Sequence, residues 1–254
     1  GNEQPPRRVA QEDAVLGQHL AGLLGPRDLL LTGGTATVED EDGKRHATNS
    51  VFVLDSGGRI LFRYDKSHLV PFGEYLPFEP FLNRLGLGRL AEGSLAFKAG
   101  TGPATLELPG LPSVGPAICY EIVFPADVAA PDRPSFLFNP SNDAWFGRWG
   151  PPQHLAHARM RSIEEGLPTV RATTSGISAL IGPDGRVLRE IPNGRHGRID
   201  APLPQPHRPT WFAHTGNLIP LAISGIVTFA FVAFQLLRRF YFLQRRAKSQ
   251  ERAA

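Results

Sequence analysis

Residues 114–121 read VGPAICYE, an apolar run that ends in polar side chains, and residues 135–143 repeat this form as SFLFNPSND. Central strands of α/β proteins have this form, because a buried strand delivers polar residues to a site at its end. The first run also contains Cys119, the only cysteine among 254 residues. The pattern predicts core strands, with Cys119 where one of them gives way to a polar segment.

The first part of the chain predicts one helix and three strands. EDAVLGQHLAGLLG at 12–25 has helical spacing and stops at a Gly-Pro pair. DLLLTGGTATV at 28–38 predicts a buried strand. NSVFVLD at 49–55 and RILFRYDK at 59–66 flank a Ser-Gly-Gly turn, which predicts a hairpin.

The later part predicts a further helix and more strands. PQHLAHARMRSIEEG at 152–166 has a glycine at its end, as helices commonly do. TVRATTSG, ISALIGPDG and RVLREI follow as strands, with a Pro-Asp-Gly turn between the last two. Strands and helices that alternate in this way predict an α/β fold with mixed sheets.

The charge is divided unevenly along the chain. The formal net charge is +3, but residues 238–254 alone carry +5, so residues 1–237 carry −2. A nucleic-acid-binding domain needs a basic face on its folded body. The slightly acidic body therefore argues against nucleic acid as a partner.

Residues 218–237 read LIPLAISGIVTFAFVAFQLL, twenty positions without a charge, which is the length of a membrane-spanning helix. Trp211 and Phe212 precede the segment, where interfacial aromatic residues are typical. A buried core helix is the alternative, but this segment is terminal and apolar on every face. The arginines that follow predict a cytoplasmic tail and place the body on the other side of the membrane.

Metal and cofactor sites are not predicted. His154 and His157, at i and i+3 on a predicted helix, come nearest to a ligand pair. One cysteine and scattered histidines do not match the spacing of zinc sites. A structural or polar role for these two histidines is the simpler interpretation.

Cys119 has two interpretations, a small buried hydrophobe or a nucleophile. Its surroundings in the sequence favour the second. YDKSHLVPFGEYLPFE at 64–79 supplies Lys66 and Glu74, and a second polar loop, NPSNDAWFG, covers 139–147. A thiol becomes a good nucleophile when a base removes its proton and a nearby cation stabilises the thiolate.

The motifs YDKSHLVPFGEYLP, ICYEIVFP, NPSNDAWFG, HARMRSIEEGLPTVRATTSGISALIGPDG and AHTGN before the apolar span resemble the bacterial apolipoprotein N-acyltransferases. These belong to the nitrilase, or carbon–nitrogen hydrolase, superfamily. The resemblance runs from about residue 28 to the tail. It implies an α-β-β-α sandwich with a Glu-Lys-Cys triad, followed by one C-terminal transmembrane helix.

The resemblance also implies a division of the chain and a location. Residues 1–214 are expected to be a periplasmic catalytic domain that is truncated at its N-terminus. Residues 215–238 are expected to cross the bacterial inner membrane, and 239–254 to form a basic cytoplasmic tail.

The resemblance implies a role for five residues. Cys119 is the nucleophile, and Lys66 stabilises the oxyanion. Glu74 is a further essential glutamate, and Tyr120 and Glu121 support activity. Structural alternatives remain for three of them: Glu74 can simply pair with Lys66, Tyr120 can be packing, and Glu121 can be a hydrogen-bonding group that positions the lysine.

The general-base glutamate of the triad has no counterpart in this sequence. The resemblance places it in a Trp-Pro-Glu strand end at or before residue 1, and Glu3 lacks that motif. The preceding membrane helices are missing as well. We therefore expect a C-terminal fragment that is inactive alone, because the base that activates the thiol is absent.

The implied reaction is a ping-pong acyl transfer without a cofactor. The acyl donor is a membrane phospholipid, and the acceptor is the α-amine of an S-diacylglyceryl cysteine at the N-terminus of an apolipoprotein. Trp145, Phe146 and Trp149 are apolar enough to line an acyl path, and ordinary packing explains them equally well. The rival interpretations are a membrane-anchored amidase or nitrilase and a catalytically dead binding domain.

Overall fold

The computed structural model describes residues 22, 24–40, 42–75, 77, 78, 84 and 97–251, with side chains up to residue 241. The helix predicted over 12–25 falls outside this part of the chain except at 22, 24 and 25. The chain forms two compact units, Gly1–Thr210 and Trp211–Ala254.

The first sheet has three antiparallel strands, β1 (Leu30–Glu39), β2 (Arg45–Leu54) and β3 (Ile60–Asp65), in that order. The predicted hairpin between β2 and β3 is confirmed. Its turn is held by Asp55, whose carboxylate accepts from the backbone N–H groups of Gly57 and Arg59 at 3.0 Å.

The burial predicted for β1 is wrong, since most of its residues are half-buried or exposed. Among them only Ala36 is buried. The reason is that Thr32 to Thr35, including Gly33 and Gly34, line a cavity, and that Leu31 lies between this cavity and the edge of the core.

The second sheet is mixed. Its five strands lie in chain order: β4 (Val114–Pro116), β5 (Phe136–Asn142), β6 (Thr169–Ser175), β7 (Ser178–Ile181) and β8 (Val187–Ile191). The first three are parallel to one another and the last three antiparallel. The parallel pairing brings the ends of β4 and β5, with their polar residues, to the same edge.

Helix α1 (Gly150–Glu165) connects β5 to β6, as a parallel pair requires. It ends at Gly166, whose φ of 64° is the left-handed conformation that glycine adopts without strain. The prediction of a helix closed by this glycine is confirmed.

Two apolar clusters define the layers of the body. The first joins the sheets, with Val51 and Val53 of β2 packed among Val114, Phe136 and Phe138 of β4 and β5. The second lies between the second sheet and α1, and includes Leu137, Leu155, Ala158 and Ile181. In the described residues the order is therefore sheet, sheet, helix.

The second unit contains α2 (Trp211–Thr215) and α3 (Leu218–Glu251). Within α3, Leu218–Tyr241 forms an apolar stretch of 24 residues, none of it buried. At a rise of about 1.5 Å per residue it exceeds the roughly 30 Å hydrocarbon core of a bilayer. By length and composition, this helix can span a membrane.

Candidate active site

Cys119 lies just beyond β4, at the first position of a 3-10 turn, Cys119–Val123. Its φ is 48°, in the left-handed region, and its side chain is half-buried. This conformation costs a residue other than glycine about 1–2 kcal/mol. Such strain persists only where the surrounding structure holds it, and it concentrates at functional sites.

Lys66 follows β3 directly and is almost fully buried, with 1% of its surface exposed. Its Nζ donates to both oxygens of Glu74, at 3.0 Å and 2.8 Å. A buried ammonium group needs such a partner, because the interior solvates it poorly. The ion pair and Cys119 line the same cavity, whose volume is about 610 Å³.

The carboxylate of Glu74 accepts two further hydrogen bonds. Asn49 Nδ2 donates to Oε1 at 3.1 Å, and the backbone N–H of Val70 donates to Oε2 at 2.7 Å. The backbone of Lys66 is itself fixed, because its N–H donates to the carbonyl of Asn49 at 2.8 Å. Glu74 is thus surrounded by donors, and among these donors Lys66 carries the charge and contacts both oxygens.

Glu121 is buried and connects the two halves of the site. Its Oε1 accepts from Tyr64 Oη at 2.8 Å, from Ser67 N at 2.6 Å and from Ser67 Oγ at 2.7 Å. Its Oε2 accepts from Ile118 N at 2.7 Å. Burial, reinforced by the charge of Glu121, raises the pKa of Tyr64 well above its usual range, so the phenol remains a donor.

Tyr120 is half-buried, and its ring packs edge-on against Phe124 with 5.0 Å between the centroids. Phe124 in turn stacks on His68 at 4.3 Å. Neither Tyr120 nor Glu121 lines the cavity that contains Cys119, Lys66 and Glu74. The five predicted residues therefore separate into three at the cavity and two that pack behind it.

Three buried residues behind Cys119 were missed as site residues by the sequence analysis. His154 on α1 places Nε2 3.0 Å from the carbonyl oxygen of Cys119. Its Nδ1 lies 2.8 Å from Asp143 Oδ1, and Arg171 Nη2 lies 2.6 Å from Asp143 Oδ2. Arg171 within the apolar strand TVRAT was the available signal, because a buried arginine almost always requires a partner.

The charges of this cluster perturb one another. Burial alone would raise the pKa of Asp143, but the hydrogen bond with His154 and the charge of Arg171 outweigh it and hold this pKa below its ordinary value. Burial lowers the pKa of Arg171, an effect that the charge of Asp143 opposes. Gly176 leaves room for the carboxylate, since a Cβ there would lie 2.4 Å from Asp143 Oδ2.

The remaining walls of the cavity are mostly apolar. They include Leu31, Ile118, Phe138, Trp145 and Phe146. Trp145 is also 74% exposed, so it lies at the mouth of the cavity. Within the described ranges, no three His, Cys, Asp or Glu side chains are grouped closely enough to hold a metal ion.

The sequence profile of the carbon–nitrogen hydrolases matches residues 2–207. This chain belongs to the carbon–nitrogen hydrolase family. The resemblance to the carbon–nitrogen hydrolase superfamily is thereby confirmed, and so is the nitrilase-like fold that it implies. The NitN amidase from Nesterenkonia sp. AN1 shares this fold, with a TM-score of 0.50 at 19% identity, over 85% of this chain and 77% of the amidase.

Two curated relatives are much more similar in sequence. The apolipoprotein N-acyltransferase of Rhodopseudomonas palustris is 44% identical over 212 residues, which cover 82% of this chain and 40% of the relative. The protein of the same name from Bradyrhizobium diazoefficiens is 44% identical over 208 residues, which cover 80% and 38%. The chain thus spans about two fifths of the length of these relatives.

Proposed function

We propose that this carbon–nitrogen hydrolase domain acts in an apolipoprotein N-acyltransferase. The acyl chain moves from a membrane phospholipid, through a thioester on Cys119, to the α-amine of an N-terminal S-diacylglyceryl cysteine. One observation carries the proposal: the strained Cys119 and the Lys66–Glu74 ion pair line one largely apolar cavity. The name of the relatives supports the choice of substrates.

The reaction divides into two acyl transfers. In the first, the thiolate of Cys119 attacks the sn-1 ester carbonyl, a C–S bond forms, and the ester C–O bond breaks. The lysophospholipid leaves with the proton that the thiol gave up to the general base. In the second, the amine attacks the thioester, a C–N bond forms, and the thiolate is released while the amine loses a proton to the base.

Both steps pass through a tetrahedral oxyanion, which a fixed cation stabilises. Lys66 is the cation that lines the cavity, and Glu74 keeps it in place. Since the oxygens of Glu74 already accept from Lys66, Asn49 and Val70, this carboxylate suits a counter-ion better than a base. We assign the general base to a separate glutamate, outside the residues that the structure describes.

The surroundings of the cavity suit a lipid donor. Its walls are mostly apolar, and exposed aromatic side chains lie beside it in the chain: Phe72 and Phe78 near Glu74, and Trp149 near Trp145. Aromatic residues of this kind favour the membrane interface. The apolar helix Leu218–Tyr241 supplies an anchor. By the positive-inside rule we place the catalytic domain in the periplasm and the tail in the cytoplasm.

The acceptor half of the proposal is tested with two matched peptides. The enzyme is expressed from its complete gene, and its membranes are incubated with an S-diacylglyceryl cysteine peptide whose α-amine is either free or acetylated. We expect the free-amine peptide to gain one acyl mass while an equal amount of lysophospholipid appears, and the acetylated peptide to gain none.

Two results would contradict this assignment. Lysophospholipid and free fatty acid formed independently of the peptide would indicate a hydrolase that uses water. If the membranes that contain the enzyme bind the peptide but no lysophospholipid is formed, the result would indicate a binding domain.

A further inference from the structure

The segment between β5 and α1 forms part of the rim of the catalytic cavity. Trp145 and Phe146 line this cavity and are 74% and 43% exposed. Phe146 is fixed on two sides. Its N–H donates to the carbonyl of Asp143 at 3.1 Å, and its ring packs edge-on against His154 with 5.9 Å between the centroids. The rim is therefore held firmly at Phe146.

Two glycines keep the next residues close to this rim. Gly147 has a φ of 56°, which glycine adopts without strain, and it turns the chain directly after Phe146. A Cβ at Gly150 would overlap the Cβ of Phe146, so the first residue of α1 lies against Phe146. Arg148 and Trp149 thus form the tip of a short loop that begins and ends at Phe146, beside the mouth of the cavity.

Arg148 is exposed and is oriented by its neighbour. Its Cζ lies 5.9 Å from the centroid of the Trp149 ring, within the range of a cation–π contact. Other exposed arginines, Arg59, Arg186 and Arg198, each pair with an aspartate. Among the residues that the structure describes, no carboxylate pairs with Arg148. Stacking uses the face of the guanidinium plane, whereas its N–H groups donate in that plane.

The proposed donor carries a negative charge close to its reacting ester. In a phospholipid, only the glycerol backbone separates the phosphodiester from the sn-1 ester. When that ester reaches Cys119, the phosphate cannot follow the acyl chain along the apolar walls, because burying an unpaired charge there is costly. Lys66, inside the cavity, already pairs with Glu74. The phosphate therefore remains at the mouth, where Arg148 lies.

We propose that Arg148, oriented by Trp149, binds the phosphodiester of the donor at the cavity mouth and so selects phospholipids over uncharged diacyl lipids. An arginine suits this task, because its planar guanidinium donates two parallel hydrogen bonds to phosphate oxygens. The inference rests on the proposed function, since it concerns the donor of the thioester step.

A general attraction to the membrane surface is the alternative. A surface arginine favours an anionic bilayer whichever lipid reacts. Under this alternative, its substitution has the same effect on charged and uncharged donors, and no effect where no bilayer is present. Under the proposal, the substitution slows only the donors that carry a phosphate.

Two donors with the same acyl chains separate these interpretations. Dioctanoyl phosphatidylethanolamine and 1,2-dioctanoylglycerol are each presented in micelles of an uncharged detergent, so that no bilayer contributes. The enzyme is expressed from its complete gene, as wild type and as Arg148→Gln. Arg195→Gln is the matched control, because Arg195 is exposed in the turn that follows β8, at the far edge of the second sheet. Intact-protein mass spectrometry follows the acylation of Cys119 over a single turnover.

We expect wild type and R195Q to react about tenfold or more faster with the phospholipid than with the diacylglycerol, because one charge-assisted contact is lost with the phosphate. In R148Q we expect the two rates to agree within about threefold, through a slower reaction of the phospholipid alone. The p-nitrophenyl octanoate burst involves no phosphate, so it should stay within about twofold of wild type in both variants.

A phospholipid preference that R148Q retains would overturn the proposal, as would a wild type without such a preference. An equal loss with both lipids and with p-nitrophenyl octanoate would also overturn it, since this indicates a damaged site or fold. In these cases wild type still acylates Cys119, and only the role of Arg148 fails. If wild type is acylated by none of these esters, the thioester step fails and the role of Arg148 fails with it.

Discussion

Glu121 joins the nucleophile turn to the lysine segment, because its Oε1 accepts from Ser67 N at 2.6 Å while its other oxygen accepts from Ile118 N at 2.7 Å. Ser67 directly follows Lys66, and Ile118 directly precedes Cys119. One buried carboxylate thus fixes the spacing between the cation and the thiol. Of the two interpretations open for Glu121, this geometry matches the hydrogen-bonding group that positions the lysine.

Replacing Glu121 by glutamine tests this connection. The amide nitrogen of the variant would face donors in either orientation, because the N–H groups of Ser67 and His68 lie at one oxygen position and the N–H of Ile118 lies at the other. We expect the free energy of unfolding to fall by about 1–3 kcal/mol, because a buried N–H group loses its acceptor. Chemical denaturation measures this loss. The control is Glu107→Gln at an exposed site, where we expect a change within about 0.5 kcal/mol; equal effects at both sites would contradict the account.

Lys66 is expected to act on the transition state. In Lys66→Met the side chain keeps much of its length and loses the cation, so we expect the rate of Cys119 acylation to fall by about 10²-fold or more. Burst kinetics with an ester substrate measure it. Lys98→Met is the matched control, because Lys98 is exposed, and it should acylate as wild type does. A K66M variant that acylates normally would remove Lys66 from the oxyanion site.

The contribution of Asp143 to the free energy of unfolding is expected to depend on pH. Its folded pKa is held below its ordinary value, so its contribution is present above about pH 3.9 and is lost as the pH falls through the lower folded pKa. We expect Asp143→Asn to destabilise the protein by about 3–5 kcal/mol at pH 7, because Arg171 loses its buried partner.

The difference in unfolding free energy between wild type and D143N should therefore narrow below pH 4. Denaturation series at several pH values test this, with Asp42→Asn as the control at an exposed carboxylate. A difference that stays constant down to pH 3 would show that the carboxylate charge contributes nothing.

Two substitutions of Tyr120 distinguish a role of its hydroxyl group from a role of its ring in packing. In the described contacts it acts through its ring, which packs edge-on against Phe124. We expect Tyr120→Phe to keep the acylation rate within about threefold. We expect Tyr120→Ala to lower the free energy of unfolding by about 1–3 kcal/mol, because a half-buried ring contributes less than a fully buried one. Burst kinetics and denaturation of the two variants measure these effects. A large loss of rate in Y120F with normal stability would assign a chemical role to the hydroxyl.

Much of the body could be predicted from local patterns. The β2–β3 hairpin, the closure of α1 at Gly166 and the turn before β8 each follow from residues adjacent in sequence. The apolar runs ending at Cys119 and Asp143 likewise predicted core strands with polar ends. The polar segment 64–79 pointed to Lys66 and Glu74, and motif resemblance gave each of them a role.

The rest of the site depends on long-range contacts. Glu121 meets Tyr64 and Ser67 across more than fifty positions, and His154 meets the carbonyl of Cys119 from a different element. A backbone carbonyl leaves no trace in residue identity, so the contact of His154 with Cys119 could not be deduced from its spacing to His157. The exposure of β1 was missed for a similar reason, because Leu31 to Thr35 line a cavity that distant elements enclose.

The central claim is that Cys119 carries the acyl chain. It is tested most directly by intact-protein mass spectrometry of the enzyme, expressed from its complete gene in phospholipid membranes, with Cys119→Ser as the matched variant. The account predicts a fatty-acyl mass on wild type that hydroxylamine removes. It predicts no hydroxylamine-labile fatty-acyl mass on the serine variant. Wild-type protein without any such adduct, in membranes rich in phospholipid, would contradict it.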